Sequence, residues 1–338
     1  MSSTETQAAE STGRASFLGG LRNQVQQLFA FLGLIVIFAV FAIAKPTVFP
    51  TYDNITKNIL FSAVVIGLLS LGATLVIITG GIDLSVGTGM TLCAVMTATF
   101  IVKWGMPVWL GLIAALLFGA FLGLVNGTNV AILGLPPFIA TLAMMLVAQG
   151  LALVISNAAP IYFDLNTHSS FLWLSTGNLI PGFPNAVIVL LLAAVVAYIL
   201  LNKTLLGRYD ISIGSNEEAT ALSGINTKKW LIVIYAVAGV FTALGGIMIS
   251  ARLGSAQPAT GAGYELQAIA AVVIGGTSLS GGKGTIIGTI IGALIISVIN
   301  NGLQIMSVRQ EWQNVILGLV ILIVVFIDQL RARRQATT

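Results

Sequence analysis

Ten long apolar runs, set apart by Gly, Pro or charged breaks, constrain this 338-residue chain more than any other feature. They cover residues 28–44, 59–79, 86–102, 107–132, 136–155, 186–201, 230–250, 264–279, 285–301 and 312–328. A helix needs about 20 apolar residues to cross a hydrocarbon core about 30 Å thick, so each run reads as one span. Only 8% of the residues are charged, against roughly 25% in a soluble domain, too few to clothe a water-facing surface. The 37 glycines suit helices that must pack closely where no hydrophobic force drives them together. The expected fold class is all-α: a polytopic membrane protein with about ten transmembrane helices, forming one domain over residues 28–328.

Residues 1–27 are polar and rich in Ser, Thr and Gln, and lack the apolar core and cleavage site of a signal peptide. They read as a disordered cytoplasmic tail, and residues 329–338 as a cytoplasmic tail. If the N-terminus is cytoplasmic, ten of the fifteen Lys and Arg residues fall inside, among them Arg14, Arg22, Lys203, Lys228, Lys229 and Lys283. The longest external loop, 156–185, then holds no Lys or Arg at all. That is the positive-inside pattern, and it puts both termini in the cytoplasm. The net charge of +4 gathers at particular loops and is not a nucleic-acid footprint; the expected surroundings are membrane lipids. Cys93 and His168 each stand alone, so neither a disulfide framework nor a metal site is expected.

Two glycine-rich segments echo each other. Residues 80–89 align with 275–284 at a constant offset of 195, with six of ten positions identical. Abundant Gly, Ser and Leu can align by chance, but Gly-interrupted spans in corresponding places also point to a translocation path. Both segments fall on the cytoplasmic side, which implies a parallel relation.

The loop 202–229 is the most informative stretch. Ser215 or Asn216 can cap a helix whose first turn holds Glu217 and Glu218, where the macrodipole favours negative charge. Gly224 supplies a left-handed stop. A helix of about two turns does not stand alone in water. An anionic leaflet would not attract its acids, so a protein groove is the better partner.

The segment Gly207-Arg208-Tyr209, followed by residues 214–226 (Gly-Ser-Asn-Glu-Glu-Ala-Thr-Ala-Leu-Ser-Gly-Ile-Asn), resembles the coupling loop of ABC importer permeases. More narrowly it is similar to that of the ribose/xylose/arabinose-type (CUT2) sugar permeases. Further similar stretches occur in order at 79–87, 135–142, 255–258 and 270–284, so the resemblance spans residues 28–328. It implies a fold like that of the cobalamin importer permeases (a type II ABC importer), with ten helices around a central path. It implies three partners in the bacterial inner membrane and beside it. These are a second permease copy or a paralogue, a cytoplasmic ATP-binding subunit, and a periplasmic or lipid-anchored sugar-binding protein. Arg208, Glu217, Glu218, Ala219, Leu222 and Gly224 would couple to the ATPase. The cargo would be a monosaccharide, a pentose or related sugar. No G-x-x-x-x-G-K-[ST] segment occurs in this chain. ATP-Mg would therefore be used by the partner, and this chain is expected to bind no cofactor and to catalyse nothing.

Gly80, Gly81, Asp83, Ser85, Asn126, Pro137, Gly275, Gly276 and Asn301 are the candidates to line or gate the path. Asp83 is the one acid at a span break. It can cap the third span near Ser85 and Val86 within a gate, or serve as the coupling acid of an ion-driven secondary transporter. Asn126, Asn129, Gln149, Asn300 and Asn301 can meet sugar hydroxyls or tie helices together, the commoner use. Arg252 and Glu265 flank an external loop and could meet the sugar-binding protein.

Overall fold

The computed structural model describes residues 27–164 and 166–336. The expected N-terminal tail, with Arg14 and Arg22, lies outside the described residues except for Gln27. In chain order the first helices are α1 (Gln27–Ala44), α2 (Tyr52–Ile78), α3 (Val86–Lys103), α4 (Val108–Ala131) and α5 (Pro137–Ser156). Then come the short α6 (Ser169–Thr176), the long α7 (Asn185–Lys203), and the short α8 (Leu205–Ser215) and α9 (Glu217–Leu222). The chain continues through α10 (Thr227–Leu253), α11 (Tyr264–Ile274), α12 (Ile286–Ile305) and α13 (Gln310–Ala336). A two-residue pair, β1 (Ile161–Tyr162) against β2 (Ser255–Ala256), is antiparallel with Ile161 opposite Ala256.

Among the described residues, eight helices are long and apolar enough to cross a membrane: α1 to α5, α7, α10 and α12. Two expected spans differ. The run expected to reach Leu279 stops at Ile274, so α11 has 11 residues, about 16 Å at 1.5 Å each and only half a bilayer. The last expected span lies inside α13, which continues to Ala336.

What stops α11 also stops α2. After α2, Gly80 donates to Ile77 O (2.9 Å) and Gly81 to Val76 O (3.2 Å). After α11, Gly276 donates to Val273 O (2.9 Å) and Thr277 to Val272 O (3.2 Å). Each is a Schellman cap, which needs a left-handed residue: Gly80 has φ +85° and Gly276 φ +94°. The internal echo is therefore real in geometry, but its register is 196 rather than the expected 195, pairing Gly80 with Gly276. Both turns lie at the same end of the bundle, and they touch: Gly282 N–H donates to Ile78 O at 2.8 Å.

Helices α2 and α3 are buried nearly all round, α10 and α12 mostly so, while α1, α4, α5 and α7 leave most of their apolar surface bare. Lipid is as apolar as leucine, so close packing and a few buried polar contacts must hold such a core. Thr74 and Thr289 hydroxyls meet at 2.7 Å between α2 and α12. Ser70 donates to Ala268 O of α11 at 3.2 Å. Asn54 and Asn301 exchange two amide bonds of 2.8 and 3.0 Å. Along α4, Gly119, Gly123 and Gly127 face α10. A Cβ at Gly123 would overlap the Tyr235 carbonyl, and one at Gly119 the Gly239 carbonyl.

Overpacking a close-packed contact costs about 1–3 kcal/mol or more. Gly123→Val is therefore expected to lower the melting temperature in detergent by several degrees. Gly150→Val, with open space around it on α5, should leave it nearly unchanged.

Candidate coupling helix and gate

Helix α9 forms because Asn216, not Ser215, caps it: Asn216 Oδ1 accepts the Ala219 amide at 2.9 Å. Ser215 instead ends α8, its hydroxyl donating to Ile211 O at 2.7 Å. Glu217 and Glu218 occupy the first turn, and Gly224 at φ +84° reverses the chain. Glu217, Glu218, Ala219 and Ala221 are exposed, and Leu222 is 84% exposed. Among the described residues Thr220 is the buried residue of this six-residue helix, its hydroxyl donating to Asn216 O at 2.7 Å. Asn226 then caps α10, accepting the Lys229 amide at 3.0 Å.

The coupling loop expected over 202–229 is helical ahead of α9, where 205–215 form α8. The signal was present as Leu206, Asp210 and Ile213 at helical spacing; all three are buried, and Arg208 is exposed on the opposite side. Tyr209 packs on Trp230 of α10 with ring centroids 4.8 Å apart. At its far end α8 meets the two Schellman turns at backbone distance. A Cβ at Gly214 would overlap the Ile78 carbonyl and lie 2.6 Å from the Gly282 nitrogen. Gly214 thus fits only as glycine, and it wedges α8 between the end of α2 and the turn after α11. Gly275 completes this junction against Gly288 of α12.

Of the gate candidates, Asp83, Ser85 and Asn126 gather around the segment that follows the α2 turn. Asp83 lies in the non-helical segment 79–85 and is buried. Its Oδ1 accepts from the Ser85 amide (2.8 Å) and hydroxyl (2.6 Å). The Ser85 hydroxyl in turn accepts from Asn126 Nδ2 of α4 at 2.8 Å. Thr141, four residues beyond Pro137 at the start of α5, accepts the Leu84 amide at 3.1 Å and reaches Ile82 O at 3.0 Å. Thr141 was not singled out from sequence, although it sits in the quoted stretch 135–142. Gly81 lets the segment approach the buried Tyr235 hydroxyl. Asp83, Ser85, Asn126, Met144, Ala148 and Thr242 line a small cavity among α3, α4, α5 and α10.

Other candidates have their side chains occupied within the chain. Asn301 is held by Asn54, and Asn58 adds a third amide to Asn54 Oδ1 at 3.1 Å. Arg252 lies 3.9 Å over the Phe61 ring and donates to Lys57 O at 2.8 Å. Glu265 accepts the Gly263 amide at 3.0 Å and packs against Gly87, inside the bundle rather than on an external rim.

An exposed acidic helix is thus joined through α8 to two broken helices, in a bundle with eight helices long and apolar enough to cross a membrane among the described residues. Residues 55–325 match the family described as branched-chain amino acid transport system / permease component, and the chain belongs to that family. It is similar to the ribose import permease protein RbsC of Escherichia coli strain K12, 42% identical over 298 residues, covering 88% of this chain and 92% of that one. Against RbsC of Bacillus subtilis strain 168 it is 43% identical over 305 residues, covering 90% and 93%. Against the fructose import permease protein FrcC of Rhizobium meliloti it is 39% identical over 275 residues, covering 80% and 76%. No solved structure matches the chain. The resemblance to CUT2 sugar permeases drawn from its motifs thus holds over most of its length.

Two predictions follow from the site's polar groups. Asp83→Asn keeps an acceptor for both Ser85 bonds, so sugar uptake is expected within threefold of wild type, whereas Asp83→Ala removes the anchor and costs about 1–2 kcal/mol in thermal stability. Abolition of uptake by Asp83→Asn would instead mark Asp83 as an ion-coupling acid.

The Asp210 carboxylate on α8 is fully buried with no partner among the described residues. Burial pushes its pKa well above the ordinary 3.8. The native state therefore holds a proton that the unfolded chain releases, and stability falls as pH rises from 3.8 towards the raised native value. Asp210→Asn is neutral throughout. It should melt higher than wild type at about pH 8, with the gap narrowing by about pH 5.

Proposed function

We propose that this chain is the membrane-spanning permease of an ATP-driven monosaccharide importer in the bacterial inner membrane. It pairs with a second copy or a paralogue and adopts a type II importer fold. Its N- and C-termini and α9 face the cytoplasm, consistent with the Lys and Arg distribution. A separate ATP-binding subunit uses ATP-Mg, and a periplasmic or lipid-anchored sugar-binding protein delivers the cargo. The importer names of the relatives support this reading.

One observation carries the coupling role: α9 offers two acids and an exposed Leu222 outside the bundle. A lone leucine in water needs no explanation. One on a six-residue helix that cannot hold itself together fits a groove in a second protein. When the ATPase closes, force on α9 passes through α8. Gly214 then presses on Ile78 and Gly282, and the ends of α2 and α11 shift together. Rigid elements packed this tightly move as bodies, which opens or closes the segment around Asp83.

The test is ATP hydrolysis and sugar uptake in proteoliposomes with the ATPase and binding protein. Glu218→Arg should cut uptake at least tenfold while the permease still elutes as a folded, monodisperse protein. Gly214→Val should leave the ATPase bound but lose uptake. Uptake that persists without any ATPase and responds to a pH gradient would overturn the importer reading.

A further inference from the structure

The chain between β2 and α11, residues 257–263, is neither helix nor strand. It descends from the end opposite α9 into the bundle. Near its start, Arg252 touches Lys57 at the outer end of α2. Further along, Gly261 packs against Gly87 and Thr91 of α3. Ala268 of α11 accepts from Ser70, which lies about 20 Å along α2 from Lys57 at 1.5 Å per residue. Tyr264, one turn above Ala268, therefore starts α11 about 14 Å below the outer end.

At such depth, backbone outside a helix survives only where protein or water covers it. Yet Gln257, Ala259 and Ala262 are exposed. One turn into α11, Gln267 donates its backbone amide to Gly263 O at 3.4 Å. Asn300 of α12 donates to Gln267 Oε1 of α11 at 3.0 Å, and both residues are partly exposed. Gln304, exposed, stands one turn further out on the same face of α12. Among the described residues, the Gln267 amide hydrogens and the Asn300 carbonyl oxygen have no partner, though each can form hydrogen bonds. The bare face of α7, with Leu191, Leu192, Val195 and Val196, shows what this chain presents to lipid instead.

We infer that residues 257–263, Gln267, Asn300 and Gln304 line a water-filled vestibule in the outer half of the membrane, where the amides hydrogen-bond the hydroxyls of a passing monosaccharide. The vestibule exists because α11 is half a helix. Neutral amides offer both donors and acceptors without a charge, which suits a neutral polyol that must leave as readily as it enters. The cargo rests on the importer reading above; the water access does not.

Cysteine labelling in the assembled transporter tests the vestibule. The native background is quiet, because Cys93 is buried. Gln267→Cys and Gln304→Cys should react with a charged, membrane-impermeant thiosulfonate at least tenfold faster than Leu192→Cys. That difference should appear either without nucleotide or with a non-hydrolysable ATP analogue. Rates equal to the Leu192→Cys reference in both states overturn the vestibule. So does disulfide capture between two copies through Gln304→Cys without labelling, which would make the face a dry subunit contact. For the sugar contact, the double variant Gln267→Leu/Asn300→Leu, checked for assembly by size exclusion, should lose at least tenfold in uptake. Unchanged uptake overturns that contact. If wild type imports no monosaccharide in the same assay, the importer reading fails while the labelling rates still decide the vestibule.

Discussion

Hydrocarbon offers no water to a broken helix, so each backbone group released at a break must find a partner inside the protein. This chain breaks its central helices twice at one end, after Ile78 and after Ile274. Glycine turns recover the last carbonyls of both helices, Thr141 takes the Leu84 amide, and Ile78 O takes the Gly282 amide. The breaks are therefore bonded seams rather than slack loops, and a displacement at one of them must be felt at the other.

The short helices meet the broken ones at that seam. Helix α9 alone has little to hold it, but α8 ties it to the seam through a contact with no room for a side chain at Gly214. A stiff linkage transmits a push only if its joints do not give, and close-packed contacts have low compressibility and transmit strain. The buried carboxyl of Asp210 runs against this economy. Its burial costs stability where α8 docks, and among the described residues it has no hydrogen-bond partner.

Apolar run length was enough to read eight of the ten expected spans, because crossing a bilayer demands it. Which spans are central was not legible. Helix α2 is as apolar as α1, yet one is buried and the other bare, since periodicity carries no signal when core and solvent are equally oily. The glycine break at Gly275-Gly276 was legible, but the run reads on to Leu279, because the left-handed turn at Gly276 that stops α11 at Ile274 leaves no mark in composition. Of the site, α9, its acids and its Gly224 stop were legible from capping chemistry. The cap itself fell to Asn216, the second of two options. Helix α8 was missed although its buried face had the right spacing, and Thr141 was missed because a lone threonine carries no pattern. Asn301 and Arg252, attractive as polar residues near span ends, turned out to be satisfied by Asn54 and by Phe61 with Lys57.

The amide pair between Asn54 and Asn301 joins residues 247 positions apart. During synthesis α2 enters the bilayer long before α12 exists. At about 5–20 residues per second the wait is roughly 12–50 s. Through that interval Asn54 must rely on Phe49 O and Asn58, and the central helix lacks one of its few polar clasps. The clasp closes only when nearly the whole chain has emerged. A ribosome that stops before Asn301 therefore leaves this clasp open.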